Sequence, residues 1–373
     1  MRQTVSASPH ITDPKNSTKR IMLDVLIALC PCLVCATVFF GYHVLINLAV
    51  CLLFCFGTEL LYGLIISKNF TRDGVKKSSV FDLSFAVTAV ILTLNLPAVM
   101  QVSYWGLNVV GKNGAVAFSF DTVVLCALGS VFAVALVKML FGGLGRNFAN
   151  PACTARIFLF IAFGAGGAFN LTSSLFGGLE QTGATWLATR DTVSGAMLLD
   201  MFLGNTATAA VGETCAIAVL AGYVYLSVRR VIDPRMPIIT VGSLAVFALF
   251  FDVLPSGARG VAVLTETAAH VLSGGLLFGA VFMATDYSTS PNTLVGNIVF
   301  AVGIGLITAL IRAFGNFPEG FSFALLIMNL VVPLLDKYII PKPFGYVKKK
   351  REKPHKTKRA NTLQVGDKAV GND

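Results

Sequence analysis

Residues 171–211 read LTSSLFGGLEQTGATWLATRDTVSGAMLLDMFLGNTATAAV. The interval is too polar and glycine-rich to cross a bilayer, yet it stands between two blocks of long apolar segments. A loop of this kind predicts an all-α polytopic membrane protein with helices on either side. At its centre is Thr182-Gly183-Ala184-Thr185. Neither Gly183 nor Ala184 shields the hydroxyl that follows, and glycine lets the backbone turn tightly, so a bulky group can approach Thr185. Ser194-Gly195-Ala196-Met197 repeats the pattern with a thioether in the last place, which cannot form a phosphoester. Such triplets also arise by chance in Gly/Ala-rich membrane proteins, so the surrounding chain has to decide.

With 373 residues, 55% hydrophobic and 13% charged, the chain has too little polar surface to cover a soluble globule. A bilayer-spanning helix needs roughly 17–25 mostly apolar residues. Hydropathy places about ten such spans, at roughly 21–41, 44–66, 80–100, 121–142, 152–170, 212–228, 236–253, 269–285, 294–311 and 320–340. The apolar run Met197–Leu203 is too brief to cross and suits a re-entrant or interfacial piece. Three regions follow: a cytoplasmic N-terminal segment over 1–20, a transmembrane domain over 21–345 with the outer-face loop 171–211, and a basic cytoplasmic tail over 346–373. The first 19 residues show no cleavable signal pattern.

The net charge of +10 lies in short loops and in Lys348-Lys349-Lys350-Arg351-Glu352-Lys353, which suits anionic lipid or a protein partner rather than nucleic acid. Lys68, Arg72, Lys76, Lys77, Arg146, Arg229, Arg230 and Arg235 fall on one side, against Lys112, Arg190, Arg259 and Arg312 on the other. The positive-inside rule then puts both termini in the cytoplasm and Thr185 on the outer face. Ten spans divide into two sets of five, the arithmetic of an inverted repeat, but the sequence leaves that organisation open. Eight cysteines sit in or beside apolar segments, where cysteine packs as a small hydrophobe. Their spacing fits no iron–sulfur motif, and His43, His270 and His355 form no metal set.

Several polar groups interrupt the apolar pattern. Gly145-Arg146-Asn147-Phe148-Ala149-Asn150-Pro151-Ala152 gathers amides, a cation and a helix-opening proline, which makes either a cytoplasmic-side pocket or a self-capping helix start. Asn205 and Gly212-Glu213-Thr214 bracket the outer approach to the sixth span, where helix-start amides can receive a phosphate or Thr214 can simply cap. Thr285-Asp286-Tyr287-Ser288-Thr289-Ser290-Pro291 is more polar than a turn requires. Ionised acids in hydrocarbon cost on the order of 3 kcal/mol or more. Asp24, Glu59 and Asp82 are therefore read either as a cation path or as partners of buried bases such as Lys138 and Arg156.

Taken together these landmarks resemble the RnfD family, the D subunits of the Rnf electron-transport complexes, which are similar to the NqrB subunits of the sodium-pumping NADH:quinone reductases. The matching pieces stand in family order. They are Ser8-Pro9-His10-Ile11, Ile21 to Leu26, Asn147 to Arg156, Thr182 to Thr185, Leu199 to Asn205, Gly212 to Thr214, Ala284 to Tyr287 with Ser290-Pro291, Phe317 to Gly320, and Met328-Asn329. The resemblance covers residues 8 to about 345. It implies FMN joined through its phosphate to Thr185 by a flavin transferase, and a second, non-covalent riboflavin toward the cytoplasmic side near Asn147 and Asn150. It also implies a prokaryotic cytoplasmic (inner) membrane and partner subunits, membrane-bound and peripheral, that carry iron–sulfur and flavin groups. The whole would pass electrons between ferredoxin and NAD and export sodium or protons, and this chain would be catalytically incomplete alone. Leu179 stands where the family usually has an acid, with Glu180 beside it, and Trp186 where it often has proline. No Gly-x-Gly-x-x-Gly opens a helix after a strand, so no nucleotide site is read here. From the residues alone, a solute channel of the urea- or ammonium-conducting sort, without redox role, stays open.

Overall fold

The apolar runs form helices wherever the hydropathy predicts them, but not all are long enough to cross a bilayer. The computed structural model describes residues 17–67, 79–100, 108–110, 116–164, 171–174, 178–181, 186–189, 193–204, 210–257, 259–315 and 320–340. Through Ile339 the chain is one compact unit. Its elements are α1 (Thr18–Phe40), α2 (Tyr42–Ser67), a 3₁₀ turn (Ser79–Asp82), α3 (Ser84–Asn95), the hairpin β1 (Asn108–Val110) and β2 (Val116–Ser119), and α4 (Phe120–Val131), which runs on as a π-helix (Phe132–Met139). There follow α5 (Pro151–Phe163), the hairpin β3 (Leu171–Ser174) and β4 (Gly178–Gln181), α6 (Trp186–Thr189), α7 (Gly195–Leu203) and a 3₁₀ turn (Val211–Glu213). The second half holds α8 (Ala216–Val228), α9 (Arg235–Ala248) with its π-helix (Leu249–Val253), α10 (Val261–Leu272), α11 (Leu276–Phe282), α12 (Leu294–Phe314) and α13 (Phe321–Tyr338).

Among the described residues six helices are long and apolar enough to cross a membrane, and a seventh if α10 and α11, bent by 50° at their junction, are taken as one span. Leu23, Ile27, Val34, Leu53 and Ile238 are exposed on these helices, as a lipid-facing surface requires. The chain is a multi-pass membrane protein. Among the described residues, three of the ten expected spans are helices shorter than a full crossing. Helix α3 has 12 residues, and α5 and α8 have 13 each. At 1.5 Å per residue these reach roughly 20 Å, short of a hydrocarbon core of about 30 Å. Pro97 holds Leu96 in extended backbone and stops α3. Pro151 starts α5 only after a coil, and α8 starts only after the 3₁₀ turn that ends at Glu213.

Sharp turns separate these pieces. Gly274 and Gly275 take φ of +71° and +67° at the α10–α11 bend, a conformation open to glycine. Leu83 adopts φ 62° before α3 without that freedom.

The helices pack in a repeated pattern. Helix α2 lies on α4 and α9 on α12, while α5 follows α4 and α13 follows α12 as neighbours. The first helices of the two sets, α1 and α8, pack on each other, as do the last, α5 and α13. Glu59 and Asp252 stand equally far from the starts of α2 and α9, and Lys138 and Arg312 equally far from the starts of α4 and α12. Two five-helix sets, left open by the sequence, thus share their neighbour relations.

Candidate functional site: an open cleft and a buried polar file

The loop between α4 and α5 brings two amides into the protein. Gly142, Gly143 and Gly145 all have positive φ, and the chain they turn delivers Asn147 and Asn150 to buried positions. Asn150 caps α5: its Oδ1 accepts from Cys153 N at 3.2 Å, with Pro151 at the first helical position. Its Nδ2 donates to Met283 O at 3.4 Å. Asn329, its amide oriented to satisfy its neighbours, accepts from Asn150 N at 3.2 Å and donates to Thr289 O at 3.1 Å. One side chain of α13 therefore ties the α4–α5 loop to the loop after α11.

That second loop carries Asp286. Its carboxylate accepts from Ser288 N (3.3 Å), Ser288 Oγ (3.0 Å) and Thr289 Oγ1 (3.4 Å). Burial nevertheless raises its pKa above the ordinary carboxylate value, the hydrogen bonds from Ser288 and Thr289 opposing this only in part.

Between the two loops lies a cleft of about 740 Å³, counted to its open mouth. Asn147, Asn150, Asp286 and Ser288 form a polar edge, Ser84, Thr88 and Lys138 a polar wall, and Val25, Ile91, Val231, Val281 and Phe282 the apolar faces. Asn147 Oδ1 is buried and has no hydrogen-bond partner in the protein, a deficit worth about 1–3 kcal/mol unless a ligand or water meets it. An amphiphilic ring with one hydrogen-bonding edge fits this lining.

From the cleft a file of polar side chains runs inward. Met283, whose carbonyl receives Asn150, takes Asn95 Nδ2 on its sulfur at 3.4 Å. Arg156 Nη1 donates to Asn95 Oδ1 (3.3 Å), Ser322 Oγ (3.4 Å) and Glu213 Oε1 (3.1 Å). Arg156 and Glu213 are 8% and 2% exposed at their side chains.

The expected site residues thus divide. Asn147, Asn150 and Asp286 come together. Arg146 is exposed and not on the cleft wall; its side chain folds against Gly142. Glu213 pairs with Arg156, and Thr214 donates backward to Val211 O at 3.0 Å, while Cys215 occupies the cap of α8; Thr214 is not the cap of that helix. Thr182, Gly183, Ala184, Thr185 and Asn205 lie outside the described residues. Next to them in sequence, Trp186 and Leu187 are buried with Met201 and Ala269, and the Trp186 ring stands edge-on to His270 at 5.1 Å. Ser194, in the second copy of the triplet, is the N-cap of α7, accepting from Met197 N at 3.2 Å.

Of the acids read as a cation path, Asp24 accepts from Arg229 Nη2 (3.1 Å) and Tyr225 Oη (3.0 Å). Glu59 meets Lys138 Nζ at 2.6 Å. Asp82 closes the 3₁₀ turn before α3. Among the described residues no group of His, Cys, Asp and Glu has metal-binding geometry. Sequence reasoning missed Asn95 and the place of Lys138 on the cleft wall. Each is a polar residue inside an otherwise apolar run, a signal that ordinarily marks a functional interior.

The sequence model of the NQR2, RnfD, RnfE family matches residues 4–119 and 115–345. The chain belongs to this family. Within it, the chain is 37% identical over 355 residues to the D subunit of the Na(+)-translocating ferredoxin:NAD(+) oxidoreductase complex of Acetobacterium woodii, covering 94% of this chain and 97% of that one. It is 31% identical over 353 residues to the D subunit of the proton-translocating ferredoxin:NAD(+) oxidoreductase complex of Clostridium ljungdahlii, covering 92% and 96%. It is 30% identical over 382 residues to the D subunit of the ion-translocating oxidoreductase complex of Actinobacillus succinogenes, covering 92% and 98%. The NQR2, RnfD, RnfE membership thus extends over both five-helix sets and over both loops of the cleft.

Proposed function

We propose that the chain is the flavin-carrying membrane subunit of an ion-translocating ferredoxin:NAD oxidoreductase complex in a prokaryotic cytoplasmic membrane, with both termini cytoplasmic. The observation that carries this reading is the 37% identity to the D subunit of such a complex over 94% of the chain. The same relationship weighs against a solute channel. The complex would be completed by iron–sulfur and flavin-carrying partner subunits, since one membrane chain of this kind holds neither ferredoxin nor NAD chemistry.

FMN is carried by Thr185 through a phosphoester made by a flavin transferase, and riboflavin sits in the cleft. Supporting the second placement is the lining itself: an unmatched Asn147 Oδ1 and the Asn150 and Asp286 side chains face one edge, and Ile91, Val231 and Phe282 offer apolar contact. Flavin supplies one- and two-electron chemistry when bound, and the protein supplies position and field. Asn147 and Asn150 orient the ring edge, the tie through Asn329 holds the Asn150 backbone to the loop after α11, and Asp286 holds a proton more tightly than a free carboxylate does. The apolar faces keep water from the ring. Electron relay is coupled to movement of sodium or protons, and Asp24, Glu59 and Asp82 are the acids that a compensating cation would pass.

The test is a denaturing gel of purified protein viewed under ultraviolet light, with Thr185→Val and Ser194→Ala variants alongside. Fluorescence lost only in Thr185→Val supports the phosphoester. A dark wild-type band from cells that express the transferase contradicts it.

A further inference from the structure

Lys138 stands at the meeting of two features that the reading above leaves separate, the cleft and the buried acid Glu59. Its Nζ donates to Glu59 Oε2 at 2.6 Å and to Ser84 Oγ at 2.7 Å, with side chains 1% and 0% exposed for the ion pair. Lys138 and Ser84 both line the cleft. The lysine lies in the π-helix Phe132–Met139, a geometry that is rare and concentrated at functional positions.

Its counterpart in the second helix set is held differently. Arg312 donates to three backbone carbonyls, of His270, Ser273 and Gly274. Backbone oxygens in a fixed bend lock a planar guanidinium. Lys138 is held by two side chains, and a compact ammonium on a flexible four-carbon stem can exchange one partner for another. A buried ion pair is costly to assemble and costlier to break on one side, so a lysine that leaves Glu59 requires a new cation there.

We propose that Lys138 is the switch that links the charge of the cleft ligand to cation binding at Glu59; this rests on the reading of the cleft as a flavin site. When the electron-transfer partners of the complex deliver one electron to the bound ring, the cleft gains one negative charge. Lys138 Nζ leaves Glu59 and turns toward the ring edge, and Glu59 takes one small monovalent cation, a sodium ion or a proton, from the water at the mouth. The cleft and the pair together keep their net charge, with one electron and one cation gained. Reoxidation returns the lysine and releases the cation. The other titratable groups that face the pair are Cys55 on α2 and Asp286 from the loop after α11.

The experiment is a redox titration of the extractable flavin in the intact complex, varying sodium at fixed pH in one arm and pH without sodium in the other. In the wild type the potential rises with one of the two cations, by up to ~59 mV per tenfold change for one cation per electron. Glu59→Gln abolishes the dependence and raises the potential, because Lys138 is then free to face the ring. Lys138→Gln abolishes it and lowers the potential. Loss of the cation dependence in both single variants separates a switch from a static pair, whose neutralisation shifts the potential by simple electrostatics and leaves the dependence in place. A double Glu59→Gln, Lys138→Gln variant keeps a neutral hydrogen-bonding pair, retains the flavin and shows no cation dependence. A wild-type potential insensitive to both cations overturns the proposal without any variant, as do single variants that keep the cation dependence. Absence of extractable flavin from the wild-type complex overturns the flavin reading itself, and the switch with it.

Discussion

Arg156 and Glu213 meet at 3.1 Å although 57 residues separate them in sequence. Their ion pair joins the helix that opens at the cleft, α5, to the 3₁₀ turn before α8. Arg156→Ala leaves a buried carboxylate without its cation and destabilises the protein by about 3–5 kcal/mol. Arg156→Met with Glu213→Leu recovers most of that loss. Thermal unfolding in detergent, single variants against the double, measures both.

Asn147 is expected to act on the non-covalent flavin alone. Asn147→Leu removes about 0.5–1.5 kcal/mol of hydrogen bonding, which weakens riboflavin retention roughly 2- to 12-fold and leaves gel fluorescence unchanged. Arg146→Ala, altering an exposed side chain off the cleft wall, changes neither. Titration of flavin-depleted protein with riboflavin gives the affinities.

Asp286 predicts a pH dependence with a definite sign. Burial raises its pKa in the folded protein, so the native state binds the proton more tightly than the unfolded chain does. Its stabilising contribution is present below the ordinary carboxylate value of about 3.9 and is lost as pH rises through the raised value. Asp286→Asn removes this loss. The melting temperature of the variant should match wild type at the acid end and exceed it increasingly up to the raised pKa, then hold a constant lead.

Helices α1 and α8 approach closely at Gly222, where a Cβ would stand 2.6 Å from Ala28 O. The neighbouring atom is backbone and cannot turn aside. Gly222→Val is expected to cost at least about 1–3 kcal/mol through overpacking, read as a lower melting temperature and a broadened size-exclusion peak.

Much of the helical framework is legible in the sequence because hydropathy over some twenty residues reports burial in lipid directly. The lengths of α3, α5 and α8 are less so, since their ends depend on Pro97, Pro151 and the turn at Glu213 rather than on the apolar content of the runs. The bend at Gly274 and Gly275 is likewise a matter of φ, to which hydropathy is blind. The amides Asn147 and Asn150 are visible as a polar helix start, and Asp286 as part of an over-polar turn. What joins them is not: Asn329, Lys138 and Asn95 reach the cleft or its inner file only through packing of helices distant in sequence. The pairings of Asp24 with Arg229 and of Glu59 with Lys138 span 205 and 79 residues. The sequence offers Lys138 as a base for a buried acid, but no spacing rule assigns which acid it meets across such a distance.

Two flavins, one covalent and one extractable, are the central claim. Acid precipitation of the purified complex, followed by mass analysis of the pellet and chromatography of the supernatant, tests it directly. The expected result is FMN on the peptide of this chain that contains Thr185, and free riboflavin in the supernatant in equal amount to this chain. A Thr185 peptide of unmodified mass, with no flavin released, would contradict the account.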